Sequence, residues 1–151
     1  MNDEILHDKE AFGMLTEADL TSLVDNAPKC EPRRSKLNGF GLFTKEHISC
    51  GETIVDFSDP DLYVLMKIED LEEWRLKAGK FTAIDNEMCI VSKGFTKYSL
   101  LNHSRNPNAL IDVAGRRIYA ERDIYPGEEV TVDYRTEPMS PEIRKYFDPW
   151  L

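Results

Sequence analysis

The chain has 151 residues and a mass of 17.4 kDa, the size of one domain with a sizeable core, and its 41% hydrophobic and 31% charged residues exclude a disordered, collagen-like or fibrous protein. The formal charge of −9, from 28 acidic against 19 basic residues, repels phosphate backbones, so no direct nucleic-acid binding is expected, whereas basic peptides are attracted. No apolar run reaches the roughly 18 residues of a membrane span, and the acidic amino terminus MNDEILHDKEAFGML is unlike a secretory signal; the expectation is an intracellular protein with no membrane attachment, cytoplasmic or, in a eukaryote, nuclear.

Residues 1–30 read as an appendage. Thr16 followed by Asp19 has the form of an N-cap, with Leu20, Leu23 and Val24 at helical spacing and Pro28 beyond, which predicts a short helix near Glu17 to Asp25. The apolar face of that helix leaves both a monomer and a homodimer open. From Lys36 onward, glycine and proline punctuate short runs. Residues 52–57 read as a strand, and Glu69 to Ala78, with Leu71, Trp74 and Leu76 among charges and Gly79 after them, as an amphipathic helix. Strand texture returns at residues 88–91, 109–113 and 118–120, with Ala114-Gly115 as a hairpin turn, and Pro126-Gly127 precedes a strand from Val130 to Tyr134. Ser140 before Pro141 and Glu142 is an N-cap with proline at the first helical position and predicts a short helix to about Tyr146. The fold class is mostly β with a few short helices. Cys30, Cys50 and Cys89 are odd in number, contain no Cys-x-x-Cys pair and read as buried free thiols.

Three segments carry chemistry. Asn38-Gly39-Phe40-Gly41 brings backbone close to a ligand or simply turns between strands; Thr44 stands where a dinucleotide fingerprint needs its third glycine. Asn102-His103-Ser104-Arg105-Asn106-Pro107-Asn108 is a polar loop ahead of a strand. His103 has no partner at metal spacing, and Ser104 beside it is a poor nucleophile–base pair, so no metal site is expected. Gly127-Glu128-Glu129-Val130-Thr131-Val132-Asp133-Tyr134 is an acidic turn feeding a strand; successive strand residues point to opposite faces, so the two glutamates read as a solvated turn and not as an acid–base pair.

Taken together and in this order, the three segments resemble the SET domain of protein lysine methyltransferases over residues 31–135. The resemblance implies a β-clip architecture of small twisted sheets, in which the Asn-His segment passes beneath the Asp-Tyr segment in a pseudoknot. It implies S-adenosylmethionine as cofactor, contacted largely through main chain by Gly39, Phe40, Gly41, Asn102 and His103. It implies Tyr134 as the catalytic residue, with Val132 and Tyr134 in the substrate channel, and a basic protein or peptide such as a histone-like tail as substrate. Val132 stands where the family commonly has Phe or Tyr, Ser99 where it commonly has arginine, and Arg105 where a cysteine often follows Asn-His-Ser. Many members of the family follow the strand with a cysteine-rich zinc segment, whereas here no cysteine follows Cys89 in residues 90–151. Residues 136–151 are therefore expected to close the cofactor site with Tyr146, Phe147 and Trp150. The competing expectation is a non-catalytic SET-like module that binds a basic partner in the same cleft.

Overall fold

The computed structural model describes residues 26–37, 39–78, 81–93, 96–138, 140–145 and 148. The expected helix at residues 17–25 and the side chains of Tyr146, Phe147 and Trp150 lie outside the described residues. Ten short strands run through the described part: β1 (Cys30–Arg34), β2 (Phe40–Thr44), β3 (Thr53–Asp56), β4 (Tyr63–Lys67), β5 (Thr82–Ala83), β6 (Met88–Ser92), β7 (Asn102–His103), β8 (Ala109–Asp112), β9 (Arg117–Ala120) and β10 (Glu129–Val132). Two short helices accompany them, α1 (Glu73–Ala78) and α2 (Pro141–Arg144).

The strands form three small sheets, in the orders β1-β2-β10-β7, β3-β9-β8 and β4-β6-β5. All pairings are antiparallel except one, β7 alongside β10, where Asn102 faces Thr131 and His103 faces Val132. A parallel pair needs a crossover between its strands, and here β8 and β9 make that excursion. The Asn-His segment is thereby laid against the strand that leads to Asp-Tyr, the adjacency that the resemblance implies.

Two apolar clusters fill the spaces between the sheets. Leu42, Val55, Ile118, Ile124 and Val130, all with 0% exposure, anchor the larger one. Phe81, Ala83, Cys89 and Val91 anchor the smaller, and Tyr134 packs against both. Lys97 is also buried, its Nζ donating to the carbonyls of Ala27 (3.1 Å) and Cys30 (2.6 Å), so the start of β1 is fastened to the core by this side chain.

Several expectations are corrected. The helix expected from Glu69 to Ala78 is broken: a 3₁₀ turn at Ile68–Asp70 ends in extended backbone at Leu71 (ψ 140°), and α1 starts only at Glu73. Ile68 and Leu71 are both buried in the smaller cluster, and that burial overrides a sequence with no breaker. The last strand ends at Val132, not Tyr134, because the Asp133 carboxylate accepts the Arg135 N–H and turns the chain into a 3₁₀ segment, Tyr134–Thr136. Cys50 is exposed, although Cys30 and Cys89 are buried as expected. At the β8–β9 hairpin the left-handed residue is Arg116 (φ 55°), while Asp112 Oδ1 accepts the Gly115 N–H at 2.9 Å. The Ser140 cap works as predicted, its hydroxyl accepting the Ile143 N–H.

Leu42 is central to β2, between β1 and β10. Leu42→Ala leaves a cavity there and is expected to lower the unfolding free energy by about 2–5 kcal/mol, read as a fall in the urea midpoint at unchanged slope.

Candidate functional site

The site forms where β2, β7, β10 and the turn after β10 converge. Gly39 adopts a left-handed conformation (φ 45°), and its carbonyl accepts the Ser35 N–H at 2.8 Å, closing the loop that leads into β2. At Gly41 the constraint is space: an added Cβ would stand 2.2 Å from Glu129 Oε2 and 3.1 Å from Asn102 Nδ2. The Glu129 carboxylate occupies that gap. It accepts from Ser35 Oγ at 2.7 Å and from Asn102 Nδ2 at 2.9 Å, and the same Nδ2 donates to the Phe40 carbonyl at 3.3 Å. The Asn102 amide thus ties β7 to both β2 and β10.

The rest of the polar loop is sewn along β10. Asn108 Nδ2 donates to the Glu129 carbonyl at 2.8 Å, Asn108 Oδ1 accepts the Thr131 N–H at 2.9 Å, and the Ser104 N–H reaches the Val132 carbonyl at 3.0 Å. Asn108 is 3% exposed, so this two-point contact replaces water that the strand edge cannot reach.

Tyr134 is gripped from both ends by the Asn-His segment. Its N–H donates to His103 Nδ1 at 3.0 Å, and its hydroxyl donates to the Leu101 carbonyl at 2.5 Å. Burial holds the phenol well above its usual range, and the nearby carboxylates of Glu137 and Glu129 push it the same way, so Tyr134 is a neutral donor at any physiological pH. His103 Nδ1 accepts, so its proton sits on Nε2. Although Asp133 Oδ1 lies 3.6 Å from Nδ1, an accepting Nδ1 has no proton to give it, and burial outweighs that carboxylate in pulling the imidazole below its usual range. The His103 side chain is 6% exposed, and its Nε2 has no hydrogen-bond partner among the described residues, an orphaned donor beside Tyr134.

The predicted site residues sort clearly. Phe40, Gly41 and Asn102 meet at Glu129, and His103 meets Tyr134; Gly39 turns the loop behind them. Val132 is 2% exposed and packed in the larger cluster beside β7, with its side chain inside the fold. Among the described residues no group of histidines, cysteines and carboxylates has metal-binding spacing. Of the two glutamates expected in a solvated turn, only Glu128 is there, bound to the Tyr125 N–H at 2.6 Å; Glu129 belongs to β10 and points inward. Strand alternation carried that signal, since neighbours must face opposite ways. Glu137, 4% exposed, was not expected at all.

Residues 39–135 match the SET domain family. A histone-lysine N-methyltransferase of Cryptococcus neoformans, H3 lysine-4 specific, is 38% identical over 114 residues, covering 68% of this chain and 8% of that protein. Its Saccharomyces cerevisiae counterpart is 31% identical over 144 residues, covering 85% of this chain and 13% of that protein. The chain therefore spans only a small part of the length of these curated relatives. Among solved structures, a Plasmodium falciparum candidate histone methyltransferase superposes with a TM-score of 0.52 at 23% identity, covering 70% of this chain and 92% of that one. KRYPTONITE, solved with methylated DNA, an H3(1–15) peptide and SAH, superposes with a TM-score of 0.50 at 23% identity, covering 72% of this chain and 25% of that one; both likenesses concern the fold.

Two outcomes follow from the geometry. Gly41→Ala forces the Glu129 carboxylate off Asn102, at a cost of about 1–3 kcal/mol for the broken charged hydrogen bond, and is expected to lower the thermal midpoint without altering the far-ultraviolet spectrum. For His103 the folded imidazole titrates below the unfolded value of about 6.5, so the unfolded chain binds more protons between the two values. Its stabilising contribution is complete above the unfolded value and is lost as pH falls through the folded one. His103→Asn, which keeps an acceptor for the Tyr134 N–H but does not titrate, is expected to flatten that loss in urea titrations between pH 7 and 5.

Proposed function

The chain belongs to the SET domain family, and we propose that it transfers methyl groups from S-adenosylmethionine to a lysine side chain of a basic protein, with Tyr134 as the catalytic residue. The observation that carries this reading is the double grip of the Asn-His segment on Tyr134, which fixes a neutral, partly buried phenol just after β10, the strand that lies between β2 and β7. The names of the curated relatives support the activity and the histone-like substrate, and they favour a nuclear, intracellular setting. SAH, the product of S-adenosylmethionine, in the KRYPTONITE complex supports the cofactor.

The residues fit such a cofactor. The orphaned His103 Nε2–H offers a donor with no acceptor among the described residues, and Gly39, left-handed and half-buried, leaves main chain accessible at the start of β2. Gly39, Phe40, Gly41, Asn102 and His103 would hold it, Asn102 through its main chain. Bound there, the cofactor supplies an electrophilic methyl group on a sulfonium.

What the chain itself must supply is placement and dryness. Methyl transfer from a sulfonium to an amine is an in-line displacement that disperses positive charge, so orientation and exclusion of water can account for much of the acceleration. The Tyr134 hydroxyl proton is given to the Leu101 carbonyl, so toward an amine its oxygen acts as an acceptor that can align it. Val132 is smaller than the Phe or Tyr common at its position and brings no hydroxyl there; on this reading more than one methyl group can be placed on the product, and mass spectrometry reads that directly.

Tyr134→Phe is expected to cut kcat at least 100-fold on core histones, with cofactor affinity by calorimetry within threefold of wild type. A wild-type chain that binds S-adenosylmethionine but methylates no basic protein would instead mark a binding module.

A further inference from the structure

Among the described residues Glu137 is the most deeply buried carboxyl, 4% exposed, and nothing above gives it a task. It follows Tyr134 by three residues, its N–H donating to the Tyr134 carbonyl at 3.3 Å, while its side chain turns into the smaller cluster and accepts the Ala83 N–H on Oε1 at 2.9 Å. No protein donor among the described residues reaches Oε2. A buried carboxyl with one hydrogen bond is costly and calls for a further partner.

The groups around it identify that partner by chemistry. Strand β5 presents Thr82, whose hydroxyl pairs with the Tyr98 phenol from the 3₁₀ turn Lys97–Leu100. Strand β6 presents Cys89, its own turn presents Tyr134, and α2 presents Arg144, whose Nη2 is engaged by the Arg135 carbonyl at 2.8 Å. Burial pushes the Cys89 thiol up to about 11 and holds Tyr98 and Tyr134 above their usual range, so these three neighbours are neutral and Arg144 is the charged one. Glu137 is thus an ionisable acid among hydroxyls, a thiol and apolar side chains, at the cluster against which Tyr134 also packs.

We propose that Glu137 accepts the proton of the target lysine: the incoming ammonium pairs with Oε2, gives it one Nζ proton, and meets the methyl donor as a neutral amine. This rests on the lysine methyltransferase reading above. The N–H bond breaks with its electron pair left on nitrogen, and the carboxylate becomes a carboxylic acid. That pair then forms the N–CH₃ bond as the S–C pair stays on sulfur, and Glu137 releases its proton to water before the next turnover. Burial is the main cause that lifts the Glu137 carboxyl to about 8, opposed by the Ala83 N–H and the Arg144 charge, which brings it close enough to a lysine for the exchange to be shallow.

The test uses the full chain and Glu137→Gln, an isostere that keeps an acceptor for Ala83, with core histones and poly-L-lysine as methyl acceptors at saturating S-adenosylmethionine. The expected result is a fall in kcat of at least 30-fold, loss of the wild-type rise in kcat between pH 7 and 9, and cofactor affinity within twofold. Carbon-13 spectra of the cofactor-free wild type should contain one glutamate carboxyl titrating far above the others, absent from Glu137→Gln and shifted by a lysine peptide but not by its norleucine counterpart. An active wild type with an unchanged kcat and pH profile in Glu137→Gln overturns the proposal alone. Should that variant not fold, Glu137→Asp assigns the carboxyl signal, and a signal indifferent to the lysine peptide overturns it. A wild type that methylates neither acceptor overturns the methyltransferase reading on which it stands.

Discussion

The parallel pairing of β7 with β10 is the constraint on which the site depends. Two residues on each side make the ladder, too few to hold themselves, and the side chains around them do the rest. Asn102 reaches across to the Phe40 carbonyl and the Glu129 carboxylate, Asn108 takes two main-chain groups of β10, and the Leu101 carbonyl and His103 ring hold Tyr134 at opposite ends. Every one of these bonds joins segments more than twenty residues apart. None survives if the crossover is undone, so binding loop and phenol are positioned by one set of contacts.

Charge is distributed with similar economy. The buried titratable groups at the centre, Tyr134, Tyr98 and His103, are held neutral by burial. Glu129 is retained there among neutral donors, the Ser35 hydroxyl and the Asn102 amide, with serine at position 99 where the resemblance leads one to expect arginine. The result is an inward-facing carboxylate held by neutral donors, inside a molecule whose overall acidity favours the approach of cations.

What the sequence disclosed was its chemistry more than its strands. Asn102, His103 and Tyr134 were recognisable because their types and order are rare together, and β6, β8 and β9 because apolar runs bounded by turns read as strands. Strand β1 stayed hidden behind Pro32 and two arginines; it is an edge strand, where a missing N–H and charged side chains are tolerated. Strands β5 and β7 are two residues long, shorter than any periodicity. Strand β4 exposes Val64 and Leu65 and so breaks alternation. Glu137 lies in a stretch, Thr-Glu-Pro, that reads as linker, and only the packing of the turn after Asp133 carries its side chain inward.

The two-residue ladder has a consequence for biosynthesis. The Gly-x-Gly loop emerges from a ribosome early, but its far wall comes from residues 129–137, almost a hundred positions later, and the intervening excursion must already be in place when that strand arrives. Nascent chains stalled before that point are left with exposed apolar sheet faces and no pocket, a state in which chaperone dependence and ligand rescue are both decided by the last strand to dock.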